Sequence, residues 1–361
     1  MKVLFIARAT LFTNRGGDTI QIVKTAAHLA DIGIDVEIKL TTEKIDYTKY
    51  DLLHLFNITR PADILFHIKA SKKVFVLSPV FVEYAEYDRN VRTGVSGLFF
   101  KLLSPDAIEY TKALARAILK GEKLKSSDFI WLGQRKAIRR ILQKASLLLP
   151  NSENEYRRLL RSYQVEKIFA VVPNAVEEFF LNQSESPVSR DPTLVICVAR
   201  IEGLKNQLNL IRALNNTKFT LLIIGNPTLN QMNYYHQCKQ EAGNNIRFIG
   251  YLSQEQLLKY YRQATVHILP SWFETTGLSS LEAAACGCNI VITDKGDTRE
   301  YFADYATYCE PASVDSIFKA VEKASALPAN GFREIIKNRY IWNKTATITA
   351  QAYEKVLNLK T

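Results

Sequence analysis

Short apolar runs rich in Val, Ile, Leu and Phe recur along this chain, separated by longer amphipathic stretches. A strand with no polar face must be covered on both sides, which parallel strands joined by helices achieve and half-exposed antiparallel strands do not. The first half carries such runs at Val3 to Ala7, Asp35 to Leu40, Leu52 to Phe56, Lys73 to Leu77, Ser146 to Pro150 and Ile168 to Val172. The second half repeats the pattern at Leu194 to Ala199, Phe219 to Gly225, Ile246 to Gly250, Val266 to Leu269, Asn289 to Thr293 and, more weakly, Ala306 to Cys309. The fold class is therefore α/β, with two doubly wound Rossmann-like sheets in tandem, and the length of 361 residues suits two cores better than one.

The periodicity lapses after Asn174, which sets the expected boundaries: a first domain over 1–175, a linker over 176–191 and a second domain over 192–340. The tail, 341–361, is expected as a helix that crosses back to pack on the first domain, with a break at Asn343 to Thr345. Open parallel sheets bind ligands at the carboxyl ends of their strands, so the informative residues should follow strands, in a cleft between the two domains.

After the first strand comes Asn14-Arg-Gly-Gly-Asp-Thr-Ile-Gln21, where Asp18 and Gln21 read as an N-cap and its capping-box partner. Gly16 and Gly17 then lie at a helix N-terminus, where backbone N–H groups can approach a phosphate, although a tight strand-to-helix turn needs glycine in any case. The Gly-x-Gly-x-x-Gly pattern of a dinucleotide site is missing, which counts against a nicotinamide or flavin enzyme.

In the second half, Arg200 ends a strand and Lys205 stands at the expected start of the next helix. Two permanent cations there suit a diphosphate whose charge grows as a bond breaks, and a pair of ordinary loop charges reads the same way. The fullest segment is Pro270-Ser-Trp-Phe-Glu-Thr-Thr-Gly-Leu-Ser-Ser-Leu-Glu-Ala-Ala-Ala-Cys-Gly287. It sets Glu274 in a loop and Glu282 within a helix, with Gly277 and Leu278 at the helix start. Buried among small and apolar neighbours, these carboxylates require a ligand or a partner to pair them.

Arg200, Lys205 and Glu274-x7-Glu282, in this order on a tandem Rossmann-like chain, resemble the retaining GT-B glycosyltransferases of family 4, the glycosyl transferases group 1. Pro173-Asn174-Ala-Val resembles that family's Pro-Asn-Gly-Val, and Phe248-Ile-Gly-Tyr-Leu-Ser253 stands where the family holds the nucleotide base. The likeness is strong in the second half and looser in the first. It implies the GT-B fold, an interdomain cleft and transfer from a nucleotide-sugar, with a UDP-sugar favoured. Arg200 and Lys205 would neutralise the leaving diphosphate, Glu274 would contact the transferred sugar, and Glu282 would hold the ribose hydroxyls. Amides near Thr276, Gly277 and Leu278 would grip phosphate and sugar, and main-chain groups around Gly250, Tyr251 and Leu252 would meet the base. Gly16 and Gly17 would close on the diphosphate. Where family members often carry a histidine after the fourth strand, this chain reads Val76-Leu-Ser-Pro-Val80. Ser78, Asn57 and Arg60 are thus the candidates for the acceptor side or the cleft, and His54 is either a core residue or a cleft residue.

No metal or other cofactor is expected: Asp-x-Asp is absent, its nearest approach being Glu86-Tyr-Asp88, and no histidines or cysteines have ligand spacing. The five cysteines and the lack of any long apolar run point to a reduced, cytoplasmic chain, at most peripheral to the inner face of a membrane. Formal net charge is +11, and between residues 101 and 150 eleven Lys and Arg face four Asp and Glu. That stretch is either a solvated helical face or, together with the apolar residues from Ser96 onward, a surface (96–144) for anionic lipid presenting a saccharide or lipid-linked acceptor. The resemblance thus points to a hexosyltransferase of bacterial-type cell-surface polysaccharide or glycolipid synthesis. The alternatives are a GT-B epimerase or phosphorylase, and a basic nucleic-acid-binding protein, for which no recognition module is present.

Overall fold

The computed structural model describes residues 1–83, 87, 104–120, 126–182, 190–328 and 331–358. The chain divides into two units, Met1–Pro173 with Trp342–Thr361, and Asn174–Ile341.

Unit 1 runs β1 (Lys2–Ala7), α1 (Gly17–Asp31), β2 (Asp35–Leu40), β3 (Leu52–Phe56), α2 (Pro61–Ser71), β4 (Phe75–Ser78), α3 (Pro105–Lys120), α4 (Ser127–Lys144), β5 (Leu147–Leu148) and α5 (Glu153–Tyr163). Its strands pair in parallel in the order β2-β1-β3-β4-β5. The apolar run Val3 to Ala7 of β1 shows why. Val3, Phe5 and Ala7 pack in a core with Ile22 and Leu29 of α1, whereas Leu4 and Ile6 pack in a second core with α2, α4 and α5. Both faces of the strand are covered, as its composition demands.

The terminal helix, Trp342–Asn358, contributes Ala346, Tyr353 and Val356 to the first of these cores. It is continuous, and the expected break at Asn343 to Thr345 falls instead at Tyr340 and Ile341, where Ile341 bridges to Val176 of unit 2. The run Ile168 to Val172 forms no strand: β5 offers it a single bridge, Leu148 to Phe169.

Unit 2 runs β6 (Asp191–Val198), α6 (Gln207–Leu214), β7 (Thr220–Ile224), α7 (Met232–Glu241), β8 (Ile246–Gly250), α8 (Gln254–Gln263), β9 (Ala264–Leu269), α9 (Leu278–Ala285), β10 (Asn289–Thr293), α10 (Thr298–Phe302), β11 (Ala306–Cys309), α11 (Val314–Ala326) and α12 (Phe332–Arg339). Its sheet is parallel, in the order β11-β10-β9-β6-β7-β8. Strand order across the sheet reverses between β6 and β9, the switch point at which open parallel sheets bind ligands.

The stretch expected as a linker is structured at its start. Val176 and Phe180 are buried in the core of unit 2, because three apolar residues, Phe179, Phe180 and Leu181, find helix and sheet surface to cover. Residues 183–189 lie outside the described residues, as do the apolar Phe99 and Phe100 and the basic Lys101, Lys123 and Lys125.

Candidate functional site

The loops that leave β6 and β9 bring together two of the residues singled out in the sequence, Lys205 and Glu274. Lys205 lies in a 3-10 turn, Gly203–Lys205, rather than at a helix start, and its Nζ is 2.6 Å from Oε1 of Glu274. The Ser271 hydroxyl donates to the same oxygen at 2.6 Å. Glu274 is 6% exposed, so the carboxylate that required a partner has two, both supplied by this chain. Arg200 stands two residues past the end of β6, and its guanidinium donates to Glu202 at 2.9 Å.

Neighbouring backbone fixes these groups. Asn206, in the left-handed region at φ 59°, donates through its side-chain amide to the carbonyls of Pro270 (3.0 Å) and Pro311 (2.8 Å). Trp272 N–H donates to Leu204 O at 2.9 Å, so the Lys205 loop and the Glu274 loop are stitched on both sides of the ion pair. Gln207 holds the carbonyl of Arg200 at 2.8 Å. The main chain of Glu274 is clasped from β10's end: its N–H donates to Lys295 O (3.2 Å) and its carbonyl accepts from Asp297 N–H (2.9 Å). Between them Gly296, at φ +96°, passes so close that an added Cβ would lie 2.0 Å from Glu274 O. The sequence reading missed Ser271, Asn206 and the Asp294–Asp297 turn. A glycine just after a strand was the signal that marked the last of these.

Glu282 is 4% exposed, and its two oxygens accept from Gln254 Nε2 (2.7 Å) and Tyr261 OH (3.0 Å). Burial, with the carboxylate beside it, pushes the Tyr261 phenol well above its ordinary pKa, which keeps it a donor. Gly277 caps α9 at φ 74° and Leu278 is its first residue, while Ser279 Oγ donates to Val198 O (2.7 Å) and ties the helix to β6. Thr276 is buried, its hydroxyl accepting from Asn174 Nδ2 at 3.0 Å, which gives the Pro173-Asn174 motif a local role. Gly250, at the end of β8, accepts from Gly225 N–H at 2.8 Å, Tyr251 is 61% exposed and Leu252 is half-buried. Ends of β9, β6, β7 and β8 are consecutive in the sheet, so a ligand reaching from Glu274 to Tyr251 crosses three strand spacings, about 14 Å.

In unit 1, Asp18 and Gln21 do not cap α1. Gly16 is the N-cap, its N–H donating to Thr19 Oγ1 at 3.1 Å, and Gly17 opens the helix. Asp18 is taken by Arg8, through Nε (2.6 Å) and Nη2 (3.0 Å), a bidentate pair that a backbone cap cannot match, and Gln21 bonds Asn151 at 2.8 Å. Arg8 also donates to the carbonyls of Thr10 and Asn14 and so shapes the glycine loop.

Asn57 and Arg60 line a small pocket at the ends of β1 and β3, with Arg8, Thr41, Asp63 and His67. Asn57 is left-handed at φ 67°, and Arg60 Nε bonds Asp63 at 3.2 Å. Ser78 is 1% exposed and engaged by His54 Nε2 at 2.8 Å, while His54 Nδ1 meets Tyr353 OH at 2.6 Å. His54 is thus a core residue, stacked on Phe56 with ring centroids 4.0 Å apart, and burial lowers its pKa to about 3.

Residues 179–342 match the family model for glycosyl transferases group 1. A D-inositol 3-phosphate glycosyltransferase of Catenulispora acidiphila is 25% identical over 244 residues, 60% of this chain and 57% of its own length. A glycogen synthase of Mycobacterium tuberculosis is 30% identical over 175 residues, 45% of this chain and 42% of its own. The chain thus spans about half the length of these curated relatives. Among solved structures, a sucrose-phosphate synthase from Thermosynechococcus elongatus covers 99% of this chain and 100% of its own, with a TM-score of 0.79 and 15% identity. Anabaena HepE, in complex with UDP and glucose, covers 98% of this chain and 100% of its own, with a TM-score of 0.70 and 15% identity. The second half of the chain, residues 179–342, thus resembles the glycosyl transferases group 1, and the fold is shared along nearly the whole chain with GT-B glycosyltransferases.

Proposed function

We propose that the chain is a retaining, metal-independent hexosyltransferase that takes a sugar from a nucleotide-sugar, by preference a UDP-sugar, and passes it to a saccharide or lipid-linked saccharide. The observation that carries this reading is the Lys205–Glu274 pair, 2.6 Å apart at the switch point of the second sheet, with Arg200 on the same loop after β6. Lys205 and Arg200 supply fixed positive charge where a diphosphate would leave, which is the change in charge that most needs stabilising in such a transfer. The same two cations do there what a divalent ion would otherwise do. Glu274, with Oε1 held by Lys205 and Ser271, presents its other oxygen to a sugar hydroxyl. Glu282 would receive the ribose hydroxyls, and the exposed Tyr251, with Gly250 and Leu252, would meet the base. Thr276, Gly277 and Leu278 would direct amides at phosphate and sugar. UDP is favoured because a structural relative, HepE, is described with UDP and glucose.

In the transfer, the bond between sugar C1 and the diphosphate oxygen breaks and the acceptor oxygen bonds to C1 on the same face. The acceptor's proton passes to the departing diphosphate, so no side-chain base is required. Gly16 and Gly17 would add amides to the diphosphate, and Asn57 and Arg60 would face the acceptor. Ser78, spent on His54, has little to offer it. Cell-surface polysaccharide or glycolipid synthesis in the cytoplasm fits a lipid-linked acceptor. Contact of residues 96–144 with an anionic membrane would bring the two together.

Lys205→Ala and Glu274→Ala test the reading. Each is expected to lower turnover of the accepted nucleotide-sugar at least a hundredfold while the far-UV circular dichroism is retained. A thermal-shift screen of UDP, GDP, ADP and dTDP identifies the base, since a ligand at a hundred times its Kd stabilises by about 2.7 kcal/mol. Near-normal turnover in both variants overturns the assignment.

A further inference from the structure

Of the three tryptophans in the chain, Trp272 and Trp342 are 5% and 1% exposed, whereas Trp131 is 88% exposed. Its neighbour Ile130 is 48% exposed. Both stand in the first turns of α4, which are held firmly: Phe129 is fully buried in the core and the Ile130 carbonyl accepts from Tyr110 OH at 2.8 Å. Gly133, at φ 67° and ψ 176°, breaks the helix just beyond. Two large apolar side chains are therefore fixed outward by an anchored backbone.

The rest of α4 presents Arg135, Lys136, Arg140 and Lys144 as exposed residues, with Arg139 half-buried. Arg135 meets Asp106 at 3.2 Å, and the one acid on α4, Asp128, meets Lys69 at 3.4 Å. Lys136, Arg139, Arg140 and Lys144 have no acidic partner among the described residues. An exposed aromatic at the start of α4, followed along the same element by uncompensated cations, has the composition suited to the boundary between acyl chains and anionic headgroups.

We propose that α4 is a membrane-docking element, with Trp131 and Ile130 inserted at the interface and Lys136, Arg139, Arg140 and Lys144 on the phosphates of anionic lipid. Charge decides against the other occupants. A second copy on this face would set like-charged rows against each other, and a nucleic acid strand would need a series of stacking aromatics where α4 offers one indole. The proposal narrows the basic window to one helix, and it holds or fails whether or not the chain transfers sugar. Among the described residues no helix is long and apolar enough to cross a membrane, so docking of this kind would be peripheral.

The test uses the whole chain with vesicles of phosphatidylcholine containing 30 mol% phosphatidylglycerol, and with phosphatidylcholine alone. Because the other two indoles are buried, Trp131 fluorescence reports the contact. The expected result is a blue shift and quenching by brominated acyl chains with the anionic vesicles only, both weakened as salt is raised. Trp131→Ala should lower partitioning at least tenfold, and Lys136→Gln with Arg140→Gln about twenty-five-fold, taking about fivefold per cation. Thermal midpoints of both variants should match the parent, since the side chains removed are exposed. No blue shift, unchanged partitioning of Trp131→Ala, or equal binding to uncharged vesicles overturns the proposal. So does binding to DNA at low salt with no quenching by brominated lipid, which would make the face a nucleic-acid site.

Discussion

Gly296→Ala should disable the site without touching any group expected to meet a substrate. The added Cβ would stand 2.0 Å from Glu274 O, 2.9 Å from its carbonyl carbon and 3.2 Å from its nitrogen. All three are backbone atoms, so no side chain can swing aside, and relief to an ordinary contact of 3.4 Å requires about 1.4 Å more separation from Glu274 O. A φ of +96° adds about 1–2 kcal/mol for an L-residue. Two main-chain bonds, Glu274 N–H to Lys295 O and Asp297 N–H to Glu274 O, stretch or break, at about 1 kcal/mol each. The stability loss is then about 3–4 kcal/mol. Glu274 also carries the 2.6 Å contact to Lys205, and misplacement by about 1 Å in such a constellation costs about a hundredfold in rate. The assay is release of nucleoside diphosphate under saturating donor, with the thermal midpoint measured alongside. Gly331→Ala is the control, since nothing lies within 4 Å of its added Cβ and its φ is −75°. A kcat above half of the parent's together with an unchanged midpoint would refute the clasp.

Two further outcomes follow from the geometry. Asn206→Ala removes both bonds from the Lys205 loop to Pro270 and Pro311, so turnover should fall about tenfold or more with the midpoint lowered, and donor KM unchanged would show that the loss is positional. Acid should weaken the fold through its buried histidines: burial lowers the pKa of His54 and of His267 to about 3. Both stay neutral in the folded chain while the unfolded chain takes up protons near pH 6.5, so stability is full above pH 6.5 and declines as pH falls toward 3. At about 1.4 kcal/mol per pH unit for each, urea unfolding at pH 5 should show about 2 kcal/mol lost per histidine relative to pH 7. A loss at pH 5 that is no smaller in His267→Gln would contradict this.

Much of the fold could be read directly. The runs Asp35 to Leu40, Leu52 to Phe56, Ile246 to Gly250, Asn289 to Thr293 and Ala306 to Cys309 are strands with those limits, because short segments rich in β-branched and apolar residues between turns favour the extended chain. Ile168 to Val172 was misread, since periodicity records what a segment could cover and not whether a neighbouring strand is long enough to pair with it. The cap of α1 was misread for a related reason. Asp18 has the chemistry of a cap, and Arg8, ten residues earlier, outbids the backbone for it. Likewise Phe180 lay in a stretch without periodicity, yet one well-placed ring is enough to fold it into unit 2.

Sequence by itself determined that this chain forms two parallel α/β sheets and that Arg200, Lys205, Glu274 and Glu282 follow or flank the strands of the second. Spacing along a chain fixes period and order, and those are local properties. Only the tertiary structure decided which of these residues meet. The reversal of strand order between β6 and β9 sets Lys205 against Glu274 across 69 positions of sequence. Tertiary packing likewise gives Glu282 to Tyr261 and Gln254, Ser78 to His54, and Trp131 to solvent. Partners of this kind are chosen by which loops a sheet brings side by side, and no pattern within either loop carries that information.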